Sequence, residues 1–110
     1  MVPEMNELIK CVGQKGKHNI PEEIGTNYFE FGTHLLDDKT GTIVNGIEWQ
    51  YQKNSEAINR EILRRWLEGR GIKPVTWATL IQVLKYISRR RLAEDIEYGL
   101  RGRKLFIDST

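Results

Sequence analysis

The residues of this chain whose types could do chemistry are few: His18 and His34, the single Cys11, the adjacent acids Asp37-Asp38 and Glu94-Asp95, and the run Gly13-Gln14-Lys15-Gly16-Lys17. The two histidines stand far apart, and with one cysteine they give no zinc-ligand spacing. The glycine-lysine run has part of a phosphate loop, but it lacks the full spacing and the Ser/Thr after the lysine, and it reads as a solvated turn. Neighbouring acids on a helix point in different directions, so neither acidic pair forms an acid/base couple. Asp37-Asp38-Lys39-Thr40-Gly41 lacks the spaced oxygen ligands and the distal glutamate of a calcium loop. No Gly-x-Ser-x-Gly elbow occurs. The expectation is a protein that is not an enzyme, with no catalytic residue, no metal, no cofactor and no small-molecule substrate. Cys11 lies among Leu8, Ile9 and Val12 and reads as a small buried apolar residue. Standing alone, it cannot form an internal disulfide, which suits a reducing, cytoplasmic location.

With that chemistry set aside, the charge pattern turns attention to the surface. The net charge is only +2, but acids dominate residues 22–48, while bases concentrate in 60–73, in 85–91 and in Arg101-Gly102-Arg103-Lys104. A chain with acidic and basic faces suits head-to-tail association with itself or with relatives. The alternative is a small basic helical domain placing Arg89-Arg90-Arg91 and residues 101–104 on nucleic acid; the weak total charge makes it the lesser reading. The apolar runs are too short for a membrane span. The start of the chain, Met1-Val2-Pro3-Glu4-Met5-Asn6-Glu7, lacks the basic region and apolar block of a signal peptide. At 110 residues there is room for one modest core and no second.

Six helices must position these charges. The first is expected over 3–14, with Met5, Leu8, Ile9 and Val12 inward. The second covers 21–36 on the stripe Ile24, Tyr28, Phe31 or Gly32, and Leu35, with a possible break at Gly25. The third covers 42–52, with Ile43, Ile47 and Tyr51 four apart and Val44 widening the stripe. Asn54 caps the fourth, over 55–68, and Gly69 and Gly71 stop it. Pro74 forces a turn, and Thr76 caps the fifth, over 77–87. The sixth covers 90–100 on Leu92, Ala93, Ile96 and Leu100. No convincing strand pair is visible.

Within this order, Ile58-x-x-x-Ile62-Leu63-x-x-Trp66-Leu67-x-Gly69-x-Gly71, the start Val75-Thr76-Trp77-x-x-Leu80, and the late Leu92-Ala93-x-x-Ile96 resemble a death domain. The likeness runs through residues 1–100 and leaves 101–110 as a basic tail. It implies an all-α fold, a six-helix antiparallel Greek-key bundle, and a homotypic protein–protein interaction module in apoptotic or innate-immune signalling. The implied partners are other death domains, its own or another protein's, in a homo-oligomer or filament built from three asymmetric contacts. One would join Arg60, Arg64 and Arg65 of the fourth helix to Glu30, Asp37, Asp38 and Glu48 of the second and third. A second would join Glu68, Arg70 and Lys73 to Arg89, Arg90 and Arg91 before the sixth. A third would join Asn45, Glu48 and Gln52 to loops around Lys15, Lys17, Lys53 and Asn54. Trp66, Trp77, Leu80, Leu84 and Ile96 read as core. Two departures from the family stand out. The loop Ser88-Arg89-Arg90-Arg91 lacks an early apolar residue, and Tyr28 or Phe29 stands where a tryptophan is common.

Overall fold

A computed structural model of the chain describes residues 3–12, 17–69 and 73–103. Among the described residues, seven α-helical segments make an all-α architecture: α1 (Met5–Ile9), α2 (Ile20–Ile24), α3 (Tyr28–Leu35), α4 (Thr42–Gln50), α5 (Ser55–Leu67), α6 (Trp77–Tyr86) and α7 (Arg90–Arg103). α2 and α3 are the expected second helix, interrupted by a 3₁₀ turn at Gly25–Asn27. Gly25 sits at φ 58°, a conformation that costs glycine little. The carbonyls at this break find side chains from elsewhere. Asn59, fully buried, donates Nδ2–H to the carbonyls of Pro21 and Gly25, both at 2.9 Å. Arg89 donates to the Ile24 carbonyl at 3.2 Å. α5 is thereby fastened to the broken helix by a polar residue inside the core.

The first helix is shorter than expected, and a strand pair is present after all. α1 ends at Ile9; β1 (Cys11–Val12) then pairs antiparallel with β2 (Lys17–His18), Cys11 opposite His18. Cysteine and valine are weak helix formers, and the turn-rich segment after them favours reversal over another helical turn. The pairing puts Cys11 in the core and brings β1 against α7.

α5 runs through the centre, packed on α1, α2, α3 and α4, while α6 joins α3 to α7. The predicted caps hold: Asn54 accepts from Ala57 N–H at 3.1 Å and Thr76 from Thr79 N–H at 3.2 Å. Gly69 closes α5 at φ 77°. Trp66 is wholly buried and Trp77 nearly so, as expected, and Trp66 Nε1–H reaches the Pro74 carbonyl at 3.3 Å.

α4 is rotated from its predicted setting. Val44 and Ile47 face the core, whereas Ile43 is 42% exposed. The rotation is set at the helix start. Gly41 (φ 76°) turns the chain, and the buried Asp38 carboxylate accepts from Val44 N–H at 3.0 Å. Val44 then fits over Gly32, where a Cβ would lie 2.6 Å from Val44 Cγ2 and 2.8 Å from Ile62 Cδ1. At the other end, α7 continues through Arg103, so the expected boundary at residue 100 falls inside a helix.

Candidate protein-interaction surface

The arginines of α5 are paired along their own helix. Glu61 is the organiser: its carboxylate receives Arg64 at 2.5 and 2.9 Å and Arg65 at 2.8 Å. Arg64 also reaches Glu68 at 2.6 Å, and Arg60 reaches Glu56 at 3.3 Å. The spacings are i,i+3 and i,i+4, where helical side chains meet. Glu61 is only 7% exposed. The Arg64 hydrogen bond, opposed by burial and aided by Arg65, holds its carboxyl down at about 2. The Glu61 hydrogen bond raises the Arg64 guanidinium in turn. This face is therefore a lattice of mixed sign, with Arg60, Arg64 and Glu68 on its outer edge.

The proposed acidic counterpart is dispersed. Glu30 is exposed, but Asp37 is half-buried in a turn at φ 55°. Asp38, expected at the surface, is 5% exposed and caps α4, so its carboxylate is committed within the fold. Glu48 accepts the Tyr28 hydroxyl. Lys73, expected at a contact, donates to the His34 carbonyl at the end of α3. Arg89 turns inward to Ile24; Arg90 remains exposed with a loose approach to Glu94 at 3.9 Å, and Arg91 is exposed. Gln52 and Lys53 are exposed in the turn after α4. Arg70 and Lys15 lie outside the described residues.

Two features were missed in the sequence. The first is Trp49, 85% exposed near the end of α4. With Thr42, Ile43, Gly46 and Gln50, it forms an outward face centred on Gly46, whose Cβ position has nothing within 4 Å. The signal was available: Trp49 falls between Glu48 and Gln50, off the Ile47–Tyr51 stripe. The second is His18. Its Nδ1 lies 2.7 Å from Glu23 and its Nε2 2.5 Å from Asp95, so both ring nitrogens meet carboxylates. Burial pulls the imidazole pKa down, but the hydrogen bonds to Asp95 and Glu23 outweigh it, and the net shift is upward. The ring ties β2 to α2 and α7. It stands in an open cleft of about 700 Å³ lined also by Arg91, Leu92, Glu94 and Tyr98. Among the described residues, no group of three His, Cys, Asp or Glu could hold a metal ion. Nor is any described helix long and apolar enough to cross a membrane.

Comparison with protein-family models, with curated proteins and with solved structures returned no match.

Proposed function

We propose that this chain is a protein–protein interaction module of the death-domain kind. Its helices would follow the antiparallel Greek-key order, and it would assemble with its own or other death domains in cytoplasmic apoptotic or innate-immune signalling. The observation that carries the reading is Trp49, 85% exposed near the end of α4. Tryptophan is the residue most enriched at binding hot spots, where an aromatic anchor enters a partner and loses its water. Ile43 and the bare Gly46 beside it leave room for close approach of a second backbone. The nucleic-acid reading, which rests on Arg89, Arg90, Arg91 and residues 101–104, is weaker: Arg89 is turned inward to the Ile24 carbonyl, and Arg90 and Arg101 each approach a glutamate of their own helix.

Sedimentation velocity on the chain alone, and mixed with purified death domains, tests the proposal. Association is expected with at least one of them, and Trp49→Ala should weaken it by at least about tenfold. No association with any of them, itself included, would sink the reading. So would a Trp49→Ala variant that binds like the parent.

A further inference from the structure

We infer that Trp49 of one copy docks in the His18–Tyr98 cleft of another, making a head-to-tail contact between copies of this chain. The inference rests on the interaction-module reading and names one partner for its anchor. The knob and the cleft belong to different parts of the fold: α4 packs on α3 and α5, whereas the cleft is built by β2, α2 and α7, with no α4 residue in its wall. Trp49 is therefore left uncovered in its own chain, and a second copy supplies the matching surface.

The chemistry of the two sides corresponds. An indole brings a large apolar face and a single N–H donor. The cleft offers an apolar floor at Leu92, the ring of Tyr98 at 57% exposure, and the exposed guanidinium of Arg91, which stacks favourably on an indole face. Glu23 and Asp95 are engaged by His18, so the exposed Glu94 is the acceptor offered to the indole N–H, and the three carboxylates outnumber the cations Arg91 and His18. The knob carries no net charge by comparison. Between Thr42 and Asn54 the charged residues are Glu48, which accepts the Tyr28 hydroxyl, and Lys53, exposed in the turn after α4. An apolar anchor on a helix followed by an exposed cation thus faces an apolar floor with the exposed carboxylates Glu23 and Glu94 at its rim. Since knob and cleft are different patches, the contact is heterologous, and each docked copy presents a further free knob and a further free cleft.

Two variants test this, each altering exposed residues only: Trp49→Ala on the knob, and Tyr98→Ala with Glu94→Lys on the cleft. Circular dichroism melts of both should match the parent. In sedimentation velocity, the parent should form species beyond a dimer as concentration rises. Each variant alone should associate at least about thirtyfold more weakly. An equimolar mixture of the two should form a one-to-one dimer and stop there, because each molecule retains one intact half. Trp66 and Trp77 are buried, so the parent's emission should shift to the blue on association through Trp49 alone. A cleft variant that still self-associates like the parent would overturn the inference, as would a mixture that fails to pair. If the chain stays monomeric at every concentration yet binds another death domain through Trp49, the inference falls and the interaction-module reading stands. If it binds nothing, both fall.

Discussion

His18 and Glu61 are each held by groups of opposite charge, and their protonation acts on stability in opposite directions. His18 has a raised pKa in the folded chain. Its contribution is complete below the unfolded value of about 6.5 and is lost as pH rises through the higher folded value. The melting temperature of the parent should therefore exceed that of His18→Gln by more at pH 6 than at pH 9. An equal gap at both would show that the imidazole works by packing alone. Glu61 has the lowered pKa, from 4.5 to about 2, so its contribution is present above 4.5 and is lost as pH falls toward 2. Replacing it by glutamine should cost about 1–3 kcal/mol near neutral pH, because a nearly buried group loses three charge-assisted bonds, with the exposure of Arg64 moderating the loss. Urea unfolding should show this cost shrinking by pH 3. Neither residue was singled out in the sequence for these roles, since both depend on partners. Glu61 was masked by the arginines around it, and His18 meets Asp95 across most of the chain's length.

At the scale of elements, two glycines in helices separate packing from propensity. Gly32 in α3 lies where a Cβ would meet Val44 and Ile62 under 3.0 Å, whereas Gly46 in α4 has open space. Gly32→Ala should destabilise by about 1–3 kcal/mol through overpacking, while Gly46→Ala should stabilise by about 0.5–1 kcal/mol by removing unfolded-state freedom. Denaturant midpoints would settle both, and a Gly32→Ala protein as stable as the parent would mean that α3 and α4 pack more loosely than described. The same pair shows what was legible beforehand. Helical periodicity located α5 and α6, and their caps at Asn54 and Thr76 are local chemistry written in a few residues. The rotation of α4 was not legible, because Ile43 and Val44 are both apolar and the choice between them is made by the Asp38 cap on Val44 N–H and the space over Gly32. Nor was the end of α1 at Ile9, where a two-residue strand pairing competes with one more helical turn. The candidate surface fared similarly. Exposed arginines are readable as a class, but whether each is free or paired depends on geometry, and the exposure of Trp49 depends on which face α4 turns outward.

For the whole molecule, the question is which charges remain available to a partner. Arg64→Glu would set a third carboxylate beside Glu61 and Glu68, so any loss of assembly would be confounded with loss of fold. Arg90 is the cleaner probe. It occupies the first position of α7, where a helix N-terminus favours acids, yet that turn carries none. Arg89 has an internal role at the Ile24 carbonyl, whereas Arg90 is exposed, with only a loose approach to Glu94. A basic residue where the helix itself prefers an acid suits a negative surface on a different protein better than the mostly basic patch Glu68, Arg70 and Lys73 of a second copy. Arg90→Glu should therefore leave the melting temperature unchanged or slightly raised while weakening association with an acidic partner domain by about three- to tenfold. Raising the salt concentration should weaken the parent's association and have a smaller effect on that of the variant, because screening then removes an attraction the variant already lacks. Sedimentation across a salt series checks both. An Arg90→Glu protein that associates as tightly as the parent, with the same salt dependence, would remove this loop from the interaction surface and leave Trp49 as its remaining anchor.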